Sequence, residues 1–329
     1  MSTTRIFTII CWIISALVLV GLAIWFLTGS VFGGWVSGLR GGFNMTGNGF
    51  NIQSLTGPFD NRYSEAVNTT NLHSIRVDWV AGEIIVIPHD GNDIQITESA
   101  QRALGNNEQM RISTNDGILN VRFREQGSFG IINMPRKNLE VLVPRGLSED
   151  MRTLTVSTTS GSVNTHDINA TTLNISTVSA TAEISGIVSN IIDISTTSGA
   201  LTATSVRAGR LDVSSVSGNI NLAEAYVTAL DISTTSGRTI AEGEFELIDV
   251  SSISGSTTIR SRVAPTAIDM SSVSGAMDIY IPNQGEITVN HSAVSGRFAS
   301  TVPVIMQGRG AAYSFTSVSG NTNIHVWGE

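Results

Sequence analysis

The chain has 329 residues, of which 14% are charged, and its formal net charge at pH 7 is −8. Nucleic-acid binding requires clustered Lys and Arg side chains against the phosphate backbone, and this acidic, sparsely charged composition excludes that class of partner. The only cysteine is Cys11, so a single copy of the chain can build neither a disulfide framework nor a cysteine-based zinc site.

The N-terminal segment is apolar enough to cross a membrane. Residues 6–27 are almost wholly apolar and carry no charge, and a helix needs about 20 such residues to span a bilayer. A cleaved signal peptide is the alternative, but its apolar core normally has about 7–15 residues, and no convincing Ala-x-Ala-like site precedes Gly29. Arg5 lies on the short flank, which the positive-inside rule places in the cytoplasm. We therefore predict that residues 1–28 form a cytoplasmic stub and one transmembrane helix, with the rest of the chain outside the cell membrane.

Residues 29–72 are rich in glycine and aromatic side chains. Glycine pairs such as Gly33-Gly34 are followed by aromatic residues such as Trp35. Glycine at this density disfavours helices and regular strands, because its backbone has many conformations to lose on folding. We predict a stalk or a plain disordered linker here.

Residues 73–150 show the alternation of strands without a regular repeat. Apolar residues occupy alternating positions on both sides of Gly82, and a similar arrangement surrounds Gly117. The spacing between these units is wider than in the rest of the chain. The region therefore predicts irregular β rungs, or a cap that closes the N-terminal end of an array.

Residues 151–329 contain a repeat that organises the chain. Its clearest copy runs from Leu211 to Ile220 and reads Leu-Asp-Val-Ser-Ser-Val-Ser-Gly-Asn-Ile. Related copies recur every 18–24 residues, with Ala180 replacing the glycine once. This period is too short for independent domains and is typical of a solenoid. The repeated glycines are Gly161, Gly199, Gly218, Gly237, Gly255, Gly275, Gly296 and Gly320.

Each repeat predicts two short strands that meet at a corner. Apolar residues lie seven and five positions before the glycine and two and four positions after it, as with Leu211, Val213, Ile220 and Leu222. Alternation with period two indicates a strand with one buried face, and glycine permits the change of direction. We predict an all-β, single-stranded β-helix, or β-solenoid, with coils of about 19 residues. The serine before each glycine is expected to form a hydroxyl ladder along this corner.

The last coils differ from the others in their longer returns and in their aromatic residues. Aromatic side chains occur here at Phe298, Tyr313, Phe315 and Trp327. The end of a solenoid is an open sheet edge, and bulky residues there are suited to covering it. We predict a C-terminal cap, with a binding surface as the alternative.

The order of these segments resembles a known bacterial family. The pattern Ile/Leu-Asp-Val/Ile-Ser-Ser/Thr-Val/Thr-Ser-Gly follows an anchor and a stalk rich in Gly and Phe, and in this the chain is similar to the "putative adhesin" β-strand-repeat family, a domain of unknown function. The resemblance covers roughly residues 70–329. It implies a right-handed, single-stranded β-helix and offers no catalytic residues to transfer. Some relatives resemble accessory proteins of envelope-stress systems.

A column of aspartates is the most specific chemical feature of the repeat. One outward position of the first strand is Asp193, Asp212, Asp231, Asp249 and Asp269 in consecutive coils. Carboxylates stacked one rung apart repel each other, and Ca²⁺ would relieve this repulsion because it favours several oxygen ligands. A solvated acidic stripe and a surface for a basic partner are the alternatives to this weak Ca²⁺ site. We predict no other metal or cofactor.

The sequence as a whole favours binding over catalysis. It contains no Gly-x-Ser-x-Gly nucleophile motif, and its repeated serines lie at structural corners. The leading prediction is a non-enzymatic, membrane-anchored cell-surface protein, an adhesin or scaffold that binds a cell-wall polymer or another envelope protein. One alternative is an accessory or sensor component of an envelope-stress response, and another is a polysaccharide-active β-helix enzyme.

Overall fold

The computed structural model describes residues 59–124, 135–307 and 311–328. The predicted transmembrane segment, residues 6–27, lies outside these ranges, as does most of the predicted stalk, so both stay predictions. Within the described ranges, no helix combines the length and the apolar character needed to cross a membrane.

Strands make up most of the described chain, and they fall into three groups. The N-terminal group contains β1 (Asn61–Val67), β2 (Ser74–His89), β3 (Ile94–Ala100), β4 (Arg111–Asn115), β5 (Ile118–Arg122), β6 (Lys137–Pro144) and the short helix α1 (Arg145–Asp150). The central group contains β7 (Thr153–His166), β8 (Asn169–Ser185), β9 (Val188–Thr196), β10 (Leu201–Thr204), β11 (Arg207–Ser215), β12 (Ile220–Ser236), β13 (Thr239–Ser254), β14 (Thr257–Ser261), β15 (Ala267–Ser274) and β16 (Met277–Ile281). The C-terminal group contains β17 (Ile287–Ser295), β18 (Phe298–Ser300), β19 (Val304–Met306), β20 (Tyr313–Ser319) and β21 (Thr322–Val326).

Successive coils of the central group pair in parallel and in register. Leu211 pairs with Ile192 on one side and with Leu230 on the other, so equivalent positions of the repeat lie directly above one another. We call each layer of the stack a rung. Because every inner strand has a neighbour on both sides, the backbone hydrogen bonds are made between rungs. The all-β, solenoid-like prediction is confirmed.

The interior of the stack is filled by the apolar positions of the repeat. Leu211, Val213, Ile220 and Leu222 of one coil are all buried, and each lies in register with the equivalent residue of the rungs above and below. A single coil would leave this apolar face in water. Each coil therefore depends on its neighbours for stability.

Four consecutive coils have a second corner, which the sequence pattern did not reveal. Six positions after the glycine position, the backbone takes the left-handed conformation at Asp167, Gly186, Ser205 and Glu224. Three of these residues are not glycine, and left-handed backbone is uncommon for such residues. The next residue in each coil is apolar and buried, namely Ile168, Ile187, Val206 and Ala225. In these four coils the chain thus turns twice and contributes a further inward position.

At the N-terminal end, β2 is not the outermost strand. It pairs with β7 on one side, and on the other side with β5 along its first half and β6 along its second half. Antiparallel strands then flank this outer rung, with β3 against β6, β1 against β3, and β4 against β5. The chain therefore passes from the second rung to the outer rung and returns to the third.

Two expectations for this end need correction. Gly117 lies with Asp116 in the left-handed turn of the β4–β5 hairpin, so it is not a solenoid corner; Gly82 is one, since it stacks on Gly161. The predicted stalk, residues 29–72, also includes β1, which pairs with β3. Every residue of β1 is at least partly exposed, so its sequence carries little of the apolar alternation that marks a strand.

A buried ion pair lies inside the N-terminal cap. The side chains of Lys137 and Glu98 are fully buried and form a salt bridge, and the Lys137 ammonium also donates to the carbonyl oxygen of Glu108 at 2.6 Å. The ammonium lies 3.9 Å from the ring centroid of Phe123 and 5.0 Å from that of Trp79. Burial lowers the pKa of Lys137, while its hydrogen bond to Glu98 acts in the opposite direction. The pair joins β3 to β6 across the cap.

At the C-terminal end, the order of rungs differs from the order of the sequence. β15 pairs with β20, and the other side of β20 pairs with β17; β21 lies in the same way between β16 and β18. The chain skips one rung after β16, forms the terminal rung, and then returns to fill the gap. The longer returns noted in the sequence supply the residues for this excursion. Tyr313 and Phe315, predicted as part of a plug, are buried within the inserted rung.

Candidate functional site

The candidate site is the outward surface of the strands that precede the glycine corner. We call it the polar face and define it by two columns of residues that are stacked in register. The acidic column contains Asp193, Asp212, Asp231, Asp249 and Asp269. The hydroxyl column contains Ser157, Ser176, Ser195, Ser214, Ser233, Ser251, Ser271, Thr316 and Ser292.

The strand geometry aligns both columns. Residues two apart in a strand point to the same side, so the outward aspartate is followed by an outward serine in every coil. Rungs in parallel sheets lie about 4.8 Å apart, which sets the vertical spacing of the carboxylates. The column of carboxylates stops before the ends of the stack, because Asn174 precedes Asp193 and Ser314 follows Asp269.

One arginine partly neutralises the acidic column. The Nε of Arg210 donates to both carboxylate oxygens of Asp212 at 2.8 Å, and its Nη2 donates to Asp231 at 3.2 Å. Its place in the other coils is taken by uncharged residues, such as Ile191 and Ala229 on the neighbouring rungs. The guanidinium of Arg210 therefore neutralises negative charge in the middle of the column.

Three carboxyl groups of the column have a raised pKa, for which burial is the larger cause and repulsion the smaller one. Partial burial against the sheet raises the pKa of Asp193, Asp231 and Asp249, and a neighbouring aspartate adds to the increase in each case. The nearby Arg210 guanidinium acts against it. These groups are therefore less stable in their ionised form than free aspartates.

The acidic column is a line and not a coordination shell. Within the ranges 59–124, 135–307 and 311–328, no group of three or more His, Cys, Asp or Glu side chains is arranged to hold a metal ion. Ca²⁺ generally takes about 6–8 oxygen ligands, whereas each rung of this face offers one carboxylate. The arrangement instead repeats the same hydrogen-bonding groups at every rung.

The hydroxyl column is partly joined by its own hydrogen bonds. Ser195 donates to Ser176 at 3.2 Å, and Ser251 and Ser271 share a bond of 3.1 Å. These serines lie at the surface of the polar face. A hydroxyl group both donates and accepts, so the column can bind amide or hydroxyl groups of a ligand.

The eight repeated glycines lie along one corner, where the rungs approach too closely for a side chain. A Cβ at Gly218 would lie 1.9 Å from the carbonyl oxygen of Gly199, and one at Gly275 would lie 1.9 Å from that of Gly255. Only some corner glycines, such as Gly161, have the left-handed backbone that was expected of all. Close approach of the backbone is therefore the more general reason for glycine at this position.

The serine before each glycine does not form the predicted ladder. Ser179 and Ser198 share one hydroxyl bond of 3.4 Å. Ser198, Ser217 and Ser236 donate mainly to the backbone of the preceding rung, at 3.2–3.3 Å. The backbone carbonyl is the fixed and nearer acceptor, so these hydroxyls tie each corner to the next.

A second hydroxyl position, three residues before the glycine, was not recognised from the sequence. It is buried, and in Thr196 and Ser215 the hydroxyl oxygen accepts a bond of 2.9 Å from the corner glycine N–H. The signal was present, because this position is Ser or Thr in every copy of the repeat except the one that ends at Gly296, where it is Ala293. It also lies in phase with the inward apolar residues Leu211 and Val213.

Known proteins that are similar to this chain include one family and several solved structures. A family model described as Toastrack DUF4097 matches residues 72–326, and no curated protein matches the chain. Solved structures similar to it include a "putative adhesin" from Bacteroides fragilis, with 12% identity, a TM-score of 0.42, and coverage of 81% of this chain and 97% of that one. A "putative lipid binding protein" from Parabacteroides distasonis has 12% identity, a TM-score of 0.43 and coverage of 80% and 97%. A "putative cell adhesion protein" from Clostridium sporogenes has 10% identity, a TM-score of 0.22 and coverage of 81% and 99%.

Proposed function

The chain belongs to the Toastrack DUF4097 family, and from that premise we propose that it is a non-enzymatic, membrane-anchored protein whose solenoid binds a repeating polymer of the cell envelope. The proposal places the solenoid outside the cell membrane, held there by residues 6–27. The apolar length of that segment and the position of Arg5 support this orientation.

The observation that carries the proposal is the repetition of the polar face. The hydroxyl column offers the same donor and acceptor at nine stacked positions, beginning with Ser157 and ending with Ser292. A linear polymer with regularly spaced hydroxyl or amide groups can bind many of these positions weakly, and the contributions add along its length. A compact ligand would use only a few of them. A polymer such as a cell-wall glycan therefore fits this face best.

The uniformity of the same face argues against catalysis. A catalytic centre gathers a nucleophile, a base and a group that stabilises developing charge around one point. Here the same serine and aspartate recur on neighbouring rungs, as in the adjacent pairs Ser214–Ser233 and Asp212–Asp231. No single rung of the column is distinguished in the way that a reacting centre requires.

The test compares two doubly substituted variants of the full chain in lipid nanodiscs. Ser214→Arg with Ser233→Arg blocks adjacent rungs of the polar face, and Thr202→Arg with Asn221→Arg places the same side chains on adjacent rungs of another outward surface. Co-sedimentation with purified, insoluble cell-wall polymer measures binding. We expect the first variant to weaken binding at least about tenfold and the second to leave it within about twofold.

Two results would count against the proposal. The wild-type chain could fail to sediment with the polymer, or the two variants could lose binding equally. If the wild-type chain bound membrane proteins but did not sediment with the polymer, the accessory role in envelope-stress sensing would be favoured.

A further inference from the structure

The terminal rung at the C-terminal end has an unpaired edge. β17 pairs with β20 over residues 289–295, but on its outer side it pairs with β19 only over residues 287–289. Among the described ranges, no strand pairs with the outer side of residues 290–295. A strand in this position presents unpaired backbone N–H and C=O groups that another strand can bind.

This edge lacks the features that normally prevent strand addition. The sequence of β17, Ile-Thr-Val-Asn-His-Ser-Ala-Val-Ser, contains no proline and no Asp, Glu, Lys or Arg. Charged residues and proline are the usual means by which proteins protect an edge strand. By contrast, the outermost strand at the other end, β1, carries Arg62 and Glu65.

Exposed apolar side chains are concentrated at the same edge. Val294 is 70% exposed, and Ile305 and Met306 of β19 are 46% and 57% exposed. Val294 lies within the unpaired part of β17, and Ile305 and Met306 lie beside its beginning, where they pair with Thr288 and Val289. Apolar groups gathered beside an open strand edge are typical of a surface that becomes covered by a partner.

The charges that flank β17 indicate which partner fits. Glu286 lies immediately before the strand and Arg297 lies two residues after it, and both are exposed. If residues 290–295 pair in antiparallel fashion with the same residues of a second copy, Arg297 of each copy lies at the end where Glu286 of the other is found. A two-fold interface uses one surface twice, and therefore requires this kind of self-complementarity.

We propose that the protein forms a dimer through this edge, in which residues 290–295 of two copies pair as antiparallel strands and join two solenoids end to end. The pairing satisfies the outer backbone groups of β17 and covers Val294. Of the polar face it includes only Ser292, whose backbone it pairs, and the other eight positions of the hydroxyl column lie outside the interface. Dimer formation and polymer binding can therefore fail separately. Two joined stacks would double the number of rungs on which a repeating ligand could be bound.

The experiment compares Val294→Lys with Val188→Lys in the full chain solubilised in detergent. Both valines are exposed, at 70% and 49%, but Val188 lies on β9, away from the terminal rung. Sedimentation equilibrium gives the dimer dissociation constant. We expect Val294→Lys to raise it at least about tenfold, since it places a charge on each of the two paired edge strands, and Val188→Lys to leave it unchanged.

Hydrogen exchange separates this interface from association through the predicted membrane segment. In the wild-type chain, the amides of residues 290–295 should become protected as the protein concentration rises, and in Val294→Lys they should not. Thermal unfolding followed by circular dichroism checks that both variants are folded. A wild-type monomer throughout the micromolar range, equal weakening by both substitutions, or a dimer without protection of residues 290–295 would each overturn the proposal.

Discussion

The two ends of the solenoid share one topology but are finished differently. At the N-terminal end the chain runs from the second rung to the outer rung and then to the third, and at the C-terminal end it makes the reverse excursion. As a result, β2 lies inside the outer rung at one end and β20 lies inside it at the other. The N-terminal rung is then flanked by antiparallel strands, whereas in the part of the chain that the structure describes the C-terminal rung carries only the short strand β19. Parallel stacking can continue indefinitely, and reversing the strand direction is one way to stop it. One end is closed and the other can accept a further strand.

The ends also differ in how they are held together. The N-terminal cap contains the buried Lys137–Glu98 pair and the aromatic rings of Trp79 and Phe123. The inserted C-terminal rung is held by apolar packing of Phe315 and by the Tyr313 hydroxyl, which donates to the carbonyl oxygen of Pro265 at 2.7 Å. Loss of a charged partner should therefore damage only the first of these two regions severely.

The largest expected effect follows from removing the buried cation. Lys137→Met leaves Glu98 buried without its partner, and breaking a buried ion pair in this way typically costs about 3–5 kcal/mol. Chemical denaturation should show this loss in the free energy of unfolding. Hydrogen exchange should place the loss in β2, β3 and β6.

The double variant Lys137→Met with Glu98→Gln is the control. It removes both charges, so it should recover a large part of the lost stability. If Lys137→Met and the double variant are equally unstable, the ion pair does not hold the cap.

A smaller effect should distinguish corner glycines at the two ends. Gly82 has a φ of +119°, and a Cβ there would lie 1.9 Å from the backbone oxygen of Lys137; at Gly320 the nearest oxygen is 2.1 Å away, without left-handed backbone. Left-handed strain alone costs about 1–3 kcal/mol for a residue with a side chain. We therefore expect Gly82→Ala to destabilise the protein more than Gly320→Ala does, with both destabilising it.

Gly146→Ala is the matched control for both substitutions. Nothing lies within 4 Å of its Cβ position, and the residue lies in helix α1, where alanine is favoured over glycine by up to about 1 kcal/mol. Thermal unfolding of the three variants measures the differences. Equal melting temperatures for Gly82→Ala and Gly146→Ala would show that the corner tolerates a side chain.

The smallest effect concerns the rungs between the two ends. Because the pKa of Asp249 is raised in the folded protein, its ionised form destabilises the fold above that pKa, and the penalty disappears as the pH falls below the unfolded value of about 3.9. Asp249→Asn should therefore stabilise the protein at pH 7 by about 0.5 kcal/mol, a small value because the side chain is exposed to solvent. The gain should vanish near pH 3 when the free energy of unfolding is measured by urea denaturation.

Asp212→Asn provides the contrast within the same column. Asp212 accepts two bonds of 2.8 Å from Arg210, so removing its charge removes a favourable contact as well as repulsion. Asp212→Asn should therefore give no gain in the free energy of unfolding at pH 7. A similar gain for both substitutions would show that Arg210 does not neutralise the column.

The regular rungs could be predicted from the sequence, because each one repeats the same local rule. The alternation of Leu211 and Val213 and the glycine at residue 218 fix strand and corner without reference to distant residues. The register of the acidic column followed from the same spacing, and the pairing of Asp212 with Asp193 and Asp231 agrees with it.

The ends and the second corner could not be predicted in this way, because they depend on contacts between distant residues. Nothing local to β17 shows that β20 will lie between it and β15. Lys137 and Glu98 are 39 positions apart in the sequence, and neither has a neighbouring motif. The left-handed residues at the second corner are Asp, Gly, Ser and Glu, so no single residue type marks that position.

The skipped rung also has a consequence for biosynthesis. Rungs as far as β16 can be added one after another as the chain is synthesised. In the folded protein, β20 and β21 lie between the stack and the strands β17 and β18. Therefore β17 and β18 have no native binding site until β20 and β21 have been made. Contacts between residues far apart in sequence form slowly. The final rungs must therefore assemble together, after translation of residue 326, while the preceding coils are already folded.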